Sequence, residues 1–260
     1  MAVPALSAPL AVTLWLLPLL GLVAFLYAAV GHAGASGYIA VLALAGLPAE
    51  QIKPLALILN IAVAAQGSWQ FQRAGHLRWR LFWPVLLAGL PMAFLGGWLD
   101  LPTLWFQRLV ALVLLASALR FLRQPGDPER LKQPPLILLV LSGAGLGLLA
   151  GLTGTGGGVF LTPLLLGCSW ASTRQAAAVS SLFIFGNSLS GLAGLLLARQ
   201  PSGALLPALP AQLGWMLLMV LLAGAVGSRL GSRHWPVAWI RRCLAFVLLL
   251  AAAKLLGFAG

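Results

Sequence analysis

Apolar residues dominate this chain in long runs, and short polar or Pro-rich stretches separate those runs. Ten apolar segments can be read, at roughly 8–30, 36–47, 54–72, 81–99, 102–122, 134–151, 158–168, 175–198, 208–229 and 236–258. A helix rising about 1.5 Å per residue needs about 20 residues to cross a hydrocarbon core of about 30 Å. Eight of the ten segments approach that length, while the second and seventh reach about half of it. The pattern predicts an all-α polytopic membrane protein with two short helices that are interrupted rather than continuous.

Composition narrows the picture in the same direction. The chain has 260 residues, of which 61% are hydrophobic and 8% charged. An ordinary soluble domain carries about 25% charged residues, and no polar stretch here is long enough to form one. Met1 to Val30 lacks a charged leader, and its apolar run is too long for a signal peptide. It reads as the first span. The net charge of +12 does not point to nucleic acid, because Lys and Arg sit in short loops between spans, as the positive-inside bias requires. Cys168 and Cys243 form no CxxC pair and have no neighbouring His, so neither a disulfide framework nor a metal site is expected.

The two halves look alike. Gly37, Gly46, Lys53, Asn60 and Gln66 fall, 121 residues on, at Gly158, Gly167, Arg174, Ser181 and Asn187. Pro102, Gln107 and Arg108 fall, 134 residues on, at Pro236, Arg241 and Arg242. This reads as a first transmembrane repeat over 1–123, a cytoplasmic linker over 124–133 and a second repeat over 134–260. If all ten segments cross, twelve of the sixteen Lys and Arg residues collect on one face. Lys53 and Arg199 lie on the other, and Arg108 and Lys254 fall within spans. If the short segments do not cross, that bias nearly vanishes, so the sequence favours crossing. Five segments per repeat is an odd number, so the repeats must be inverted, with both termini away from the cytoplasm. Short broken helices are then expected at the repeat interface, a recurring plan among transporters.

The chemistry concentrates at the breaks. Residues 152–163 read LTGTGGGVFLTP. A triple glycine disrupts a helix. In a bilayer, irregular backbone survives only where protein buries it or a cavity takes it. Thr153, Gly154, Thr155, Gly156, Gly157 and Gly158 are therefore expected to form a cradle of backbone N–H groups at a helix start, which suits an anion. The counterpart in the first half holds His32, Gly34, Ser36 and Gly37, with His32 as a candidate ligand or proton carrier. Lys53 and Arg174 each follow a short segment, either guiding an anion or snorkelling to the interface. Asn60, Gln66, Ser180, Ser181, Asn187 and Ser188 are polar groups inside apolar spans. They are candidates to line the pocket or to bond neighbouring helices. The glycine ladders 143–147–151, 186–190–194 and 227–231 suit helix packing, within one chain or between copies in a homo-oligomer. Trp residues near span ends suit interfacial anchoring.

Other classes find little support. No Walker motif follows the glycines, and no HExxH, GxSxG or clustered Asp pair is present. The only carboxylates are Glu50, Asp100, Asp127 and Glu129, all in expected loops. No catalytic residue, cofactor or bound metal is expected.

The stretch GLLAGLTGTGGGVFLTPLLL, followed by TRQAAAVSSLFIFGNSLSG over 173–191, resembles the sulfite exporter TauE/SafE family of membrane permeases. That resemblance implies a secondary transporter in the cell inner membrane. It would export a small sulfur-containing anion, such as sulfite or an organosulfonate, through a site at the two breaks. The first half departs from the family's usual glycine triplet and proline, reading GHAGASGYIAVLALAG over 31–46. The competing readings are a transporter of another ligand class, such as a metal cation, and a membrane enzyme or scaffold without transport. The scarcity of acidic, His and Cys ligands argues against the cation.

Overall fold

Nine helices are bounded among the described residues of the computed structural model, which are 7–29, 31–99, 101–123, 130–199 and 209–231 with a few positions between 245 and 253. They are α1 (Ser7–Ala29), α2 (Ala35–Leu44), α3 (Ala49–Arg73), α4 (Trp79–Trp98), α5 (Thr103–Arg123), α6 (Leu136–Thr153), α7 (Gly158–Gly167), α8 (Thr173–Arg199) and α9 (Leu213–Gly231). No strand occurs among the described residues. Each of the first nine apolar segments became a helix with ends within about five residues of those expected. The tenth segment, most of the linker, Cys243, and the repeat positions Pro236, Arg241 and Arg242 lie outside the described residues.

Among the described residues, five helices are long and apolar enough to cross a membrane, namely the spans Glu50–Arg73, Trp79–Trp98, Leu136–Thr153, Thr173–Ala198 and Leu213–Leu230. Their outer faces expose Leu87, Leu136, Leu141 and Leu222, the surface that a bilayer solvates. Trp69, Trp79, Trp98 and Trp105 are exposed at or near helix ends, as interfacial anchors are. The Arg73 guanidinium stacks over Trp69 with 4.6 Å to the ring centre. The protein is thus an integral, multi-pass membrane protein.

The loops fix which ends lie together. Arg78 Nη1 donates to the Trp170 carbonyl at 3.1 Å, and the Lys132 amide donates to the Ser169 carbonyl at 2.7 Å. The α3–α4 turn, the approach to α6 and the α7–α8 turn therefore share one basic end. Helix α6 starts at that end, and α7 returns to it after the break. Lys53 lies at the far end, with its Nζ donating to the carbonyls of Gly96 at 3.2 Å and Gly97 at 3.4 Å in the last turn of α4.

The packing follows an exchange pattern. Helices α3 and α8 pack on each other at the centre. Helix α1 packs on α9 as α6 packs on α4, α9 meets α3 as α4 meets α8, and α2 lies on α3 as α7 lies on α8. The glycine ladders make these contacts, and all three act within the chain. Gly143, Gly147 and Gly151 of α6 lie against the backbone carbonyls of Val85, Gly89 and Ala93. Gly194 of α8 meets the Phe94 carbonyl, Ser190 Oγ donates to the Leu90 carbonyl at 2.6 Å, and Gly227 of α9 meets the Phe25 carbonyl. A Cβ has no room in such contacts, which are van der Waals seams of the kind that hold membrane helices together. Gly147→Val is accordingly expected to destabilise the protein by roughly 1–3 kcal/mol through overpacking. The check is thermal unfolding of the detergent-purified protein, where an unchanged midpoint would refute the seam.

Candidate functional site

The two breaks are built alike. Helix α1 ends before Gly31, whose φ is +79°, and α2 starts from Gly34 at φ +103°. Helix α6 ends at Gly154 with φ +78°, and α7 starts from Gly157 at φ +77°, with Gly156 at +71° between them. L-residues with side chains rarely hold this left-handed backbone. Glycine is therefore dictated by geometry here, not only by the need for space. Because the N-caps are Gly34 and Gly157, neither helix start receives a side-chain cap from its own chain position. The starts of α2 and α7 lie 123 residues apart, two more than the sequence spacing. The structural counterparts are thus Gly34 with Gly157 and His32 with Thr155, rather than Gly37 with Gly158 and His32 with Thr153.

Asn60 joins the two breaks. From the middle of α3, its Oδ1 accepts from the Ala35 amide at the start of α2 at 3.2 Å. Its Nδ2 donates to Ser188 Oγ on α8 at 2.9 Å. A Cβ added to Gly156 would collide with Asn60 Nδ2 and lie 3.0 Å from Ser188 Oγ. One carboxamide thus spans from the N-terminus of one short helix to the residue before the N-cap of the other. Both N-termini carry the positive end of a helix dipole, so positive potential converges on Asn60, which is fully buried.

The remaining candidates divide by place. Ser181 Oγ donates to the Gly31 carbonyl at 3.0 Å and supports the first break. Ser36 shares a 2.8 Å hydrogen bond with Tyr27. Thr162 donates to Ser180 at 2.8 Å, tying α7 to α8. Thr153 Oγ1 donates to the Leu149 carbonyl at 2.6 Å and pairs with Thr155 Oγ1 at 2.9 Å. The Thr153 proton therefore closes the last turn of α6, and Thr155 stands nearer the role foreseen for both. Gly158 packs on Ile184, and Gly37 on Val23. Asn187 is fully buried and neither atom of its amide has a hydrogen-bond partner. Its Oδ1 lies 3.0 Å from where a Cβ of Gly89 would sit. Gln66, its counterpart in the sequence repeat, faces Gly224 of α9 and has a buried, unpartnered Oε1.

Tyr38 belongs to this group, although its sequence context gave little sign. It is fully buried, its hydroxyl has no partner, and that hydroxyl lies 2.9 Å from the Cβ position of Gly34. The available signal was spacing: Tyr38 stands four residues after Gly34, on the same helix face, and is one of only two tyrosines.

The two ends of the site differ. A narrow cleft, too tight to admit a water molecule, lies between α1, α3, α8 and α9 at the first break, with Gly31, His32, Ser181 and Ser228 in its walls. Helix α9 meets α3 over a shorter stretch than α4 meets α8. At the equivalent place near the far end, Gly97 lies against Gly191 and the buried Lys53 holds the carbonyls of Gly96 and Gly97. Arg174, the sequence counterpart of Lys53, is instead exposed at the basic end. Arg174→Ala is therefore expected to change apparent anion affinity by no more than a few-fold. That effect should fade at high salt, as it does for an exposed charge. Kinetics at two ionic strengths check it, and a large, salt-insensitive loss would give Arg174 a direct role.

Two short glycine-started helices bridged by one buried carboxamide inside a multi-pass bundle match a recurring plan of membrane transport proteins. The family model of the sulfite exporter TauE/SafE matches residues 16–255, and the chain belongs to that family. It is 38% identical over 239 residues to the "Probable membrane transporter protein y4hK" of Sinorhizobium fredii (strain NBRC 101917 / NGR234). That match covers 90% of this chain and 94% of the relative. No solved structure matches the chain.

Proposed function

We propose that this protein is a secondary transporter that carries a small sulfur-containing anion, sulfite or an organosulfonate, out of the cytoplasm. The observation that carries the reading is the meeting of the α2 and α7 N-termini at Asn60. Two positive helix ends and a buried carboxamide donor form a site that favours a compact oxyanion and disfavours a cation. The family description, sulfite exporter, agrees with that chemistry.

The exchange pattern of the helices supports two inverted repeats, 1–123 and 134–260, acting as mutual gates. The cleft at the basic end and the hold of Lys53 on the α4 carbonyls at the far end support a reading in which the basic, cytoplasmic gate is the looser of the two. Opening the far end requires Lys53 to release the α4 carbonyls, and an arriving anion offers it an alternative partner. A metal cargo is the weaker reading, because no three His, Cys, Asp or Glu residues come together among the described residues. The reading of an enzyme or scaffold has no structural feature in its favour.

The test is uptake of labelled sulfite into proteoliposomes, with sulfate, thiosulfate, sulfoacetate and nickel as competitors. Saturable uptake that related anions inhibit and nickel leaves untouched is expected. Inhibition by nickel alone would transfer the protein to the cation class.

A further inference from the structure

We propose that the Tyr38 hydroxyl is a ligand of the transported anion, donating a hydrogen bond to one of its oxygens at the N-terminus of α2. This rests on the anion-transport reading above and names the side chain that gives the α2 end its hold on the cargo.

The first observation is an orphaned donor. Tyr38 is fully buried, and its hydroxyl has no hydrogen-bond partner. Buried polar side chains in folded proteins are nearly all paired, and each exception calls for a reason. Packing supplies none here, because phenylalanine would fill the same space without the cost of desolvating a hydroxyl. Tyr27, the other of the two tyrosines, gives the contrast: its hydroxyl is paired with Ser36 at 2.8 Å.

The second observation is where that donor lies. Helical side chains lean toward the N-terminus of their own helix. The Tyr38 ring does so and lies over the N-cap, with its hydroxyl oxygen and Cζ each 2.9 Å from the Cβ position of Gly34. The backbone amides of the first turn are presented at the same end. Asn60 Oδ1 accepts from the Ala35 amide, and the Gly34 carbonyl accepts from the Tyr38 amide. The Ser36 and Gly37 amides between them have no acceptor within the helix. A buried O–H donor therefore stands at the positive end of a helix dipole, beside the carboxamide that joins the two breaks.

The third observation is asymmetry. The starts of α2 and α7 are 123 residues apart, so the counterpart of Tyr38 on α7 is Leu161. Leucine has no donor to offer. Of the two short helices, only α2 carries a hydroxyl at this position, and the anion is held more firmly at the α2 end.

A hydrogen bond to an anion is charge-assisted and about twice as strong as a neutral one. Loss of this donor is expected to weaken anion binding roughly 10- to 100-fold. The fold should not suffer, because the hydroxyl holds no other part of the protein.

The experiment uses the full-length protein and, as its probe, whichever of sulfite and methanesulfonate the wild type transports in proteoliposomes. With only two tyrosines, protein carrying ¹³C at the tyrosine Cζ gives two resonances, and Tyr38→Phe assigns them. In detergent-purified wild type, the Tyr38 resonance is expected to shift saturably as the anion is added. Thermal unfolding supplies the second readout, since a ligand of the native state raises the midpoint. Without anion, Tyr38→Phe is expected to unfold at or above the wild-type midpoint. To gain the same rise it should need roughly 10- to 100-fold more anion. A Tyr38 resonance unmoved at saturating anion overturns the proposal. So does an unchanged anion affinity in Tyr38→Phe, and a lowered midpoint beside it would assign the hydroxyl to the fold instead. Wild-type transport of neither anion brings down the anion-transport reading and this inference together.

Discussion

Gly156→Ala is expected to cut sulfite flux roughly 100-fold, the scale on which a displacement of about 1 Å degrades a positioned site. Two separate effects add. The residue holds φ +71°, a conformation that costs an L-residue about 1–2 kcal/mol. Its new methyl would also collide with Asn60 Nδ2 and press on Ile184 and Ser188. Asn60 can escape only by giving up Ser188 Oγ and the Ala35 amide, which separates the two helix ends. The fold should survive, because the helix seams lie elsewhere. Gly145→Ala is the matched control: that glycine has open space around its Cβ position, and full flux is expected. Flux and membrane abundance measured together decide the matter. Undiminished flux in Gly156→Ala would refute the role of this backbone in transport.

Asn60→Asp is expected to be more damaging to transport and milder to the fold. The shape is kept, and Ser188 can turn its hydroxyl to donate. The charge is not kept: a carboxylate would stand where an anion should bind. Two like charges about 4 Å apart repel by about 4 kcal/mol at an effective dielectric of about 20, near a 1,000-fold loss of affinity. Asn60→Ala provides the comparison, since it removes the link without adding charge. It is expected to lose less affinity than Asn60→Asp while leaving the buried Ala35 amide without its acceptor. Equal sulfite affinities in the two variants would mean that Asn60 holds the breaks together but does not face the anion.

Much of the architecture was legible because lipid simplifies the code. A span must be apolar along its length, so α1 and α3 to α9 announce themselves by hydrophobicity. A break must be glycine-rich, so residues 31–37 and 153–158 announce themselves as well. The ladder Gly143–Gly147–Gly151 was legible as a seam, but not its partner, because small residues at every fourth position fit any close helix. Depth along paired helices was less legible. The spacing of 121 follows matching residue types, while the helix starts are 123 apart at α2 and α7 and 124 apart at α3 and α8.

What side chains do at the site was least legible. Thr153 and Thr155 look equivalent in sequence, yet only Thr153 can reach the Leu149 carbonyl, four residues back. Lys53 and Arg174 look paired, yet one is buried on the α4 carbonyls and the other is exposed. With the helix starts offset by 124, the position on α8 that matches Lys53 is Ala177 and not Arg174, so residue type paired the two cations where depth does not. Tyr38 carries the same lesson, since its hydroxyl matters only once Gly34 is known to turn beneath it.

The measurement closest to the central claim is a crystal structure of the protein grown with selenate, a heavier analogue of a sulfur oxyanion, with selenium located by anomalous scattering. The account predicts a peak within hydrogen-bond reach of Asn60, between the N-termini of α2 and α7. A well-occupied peak elsewhere in the bundle, in protein that transports sulfite, would contradict it.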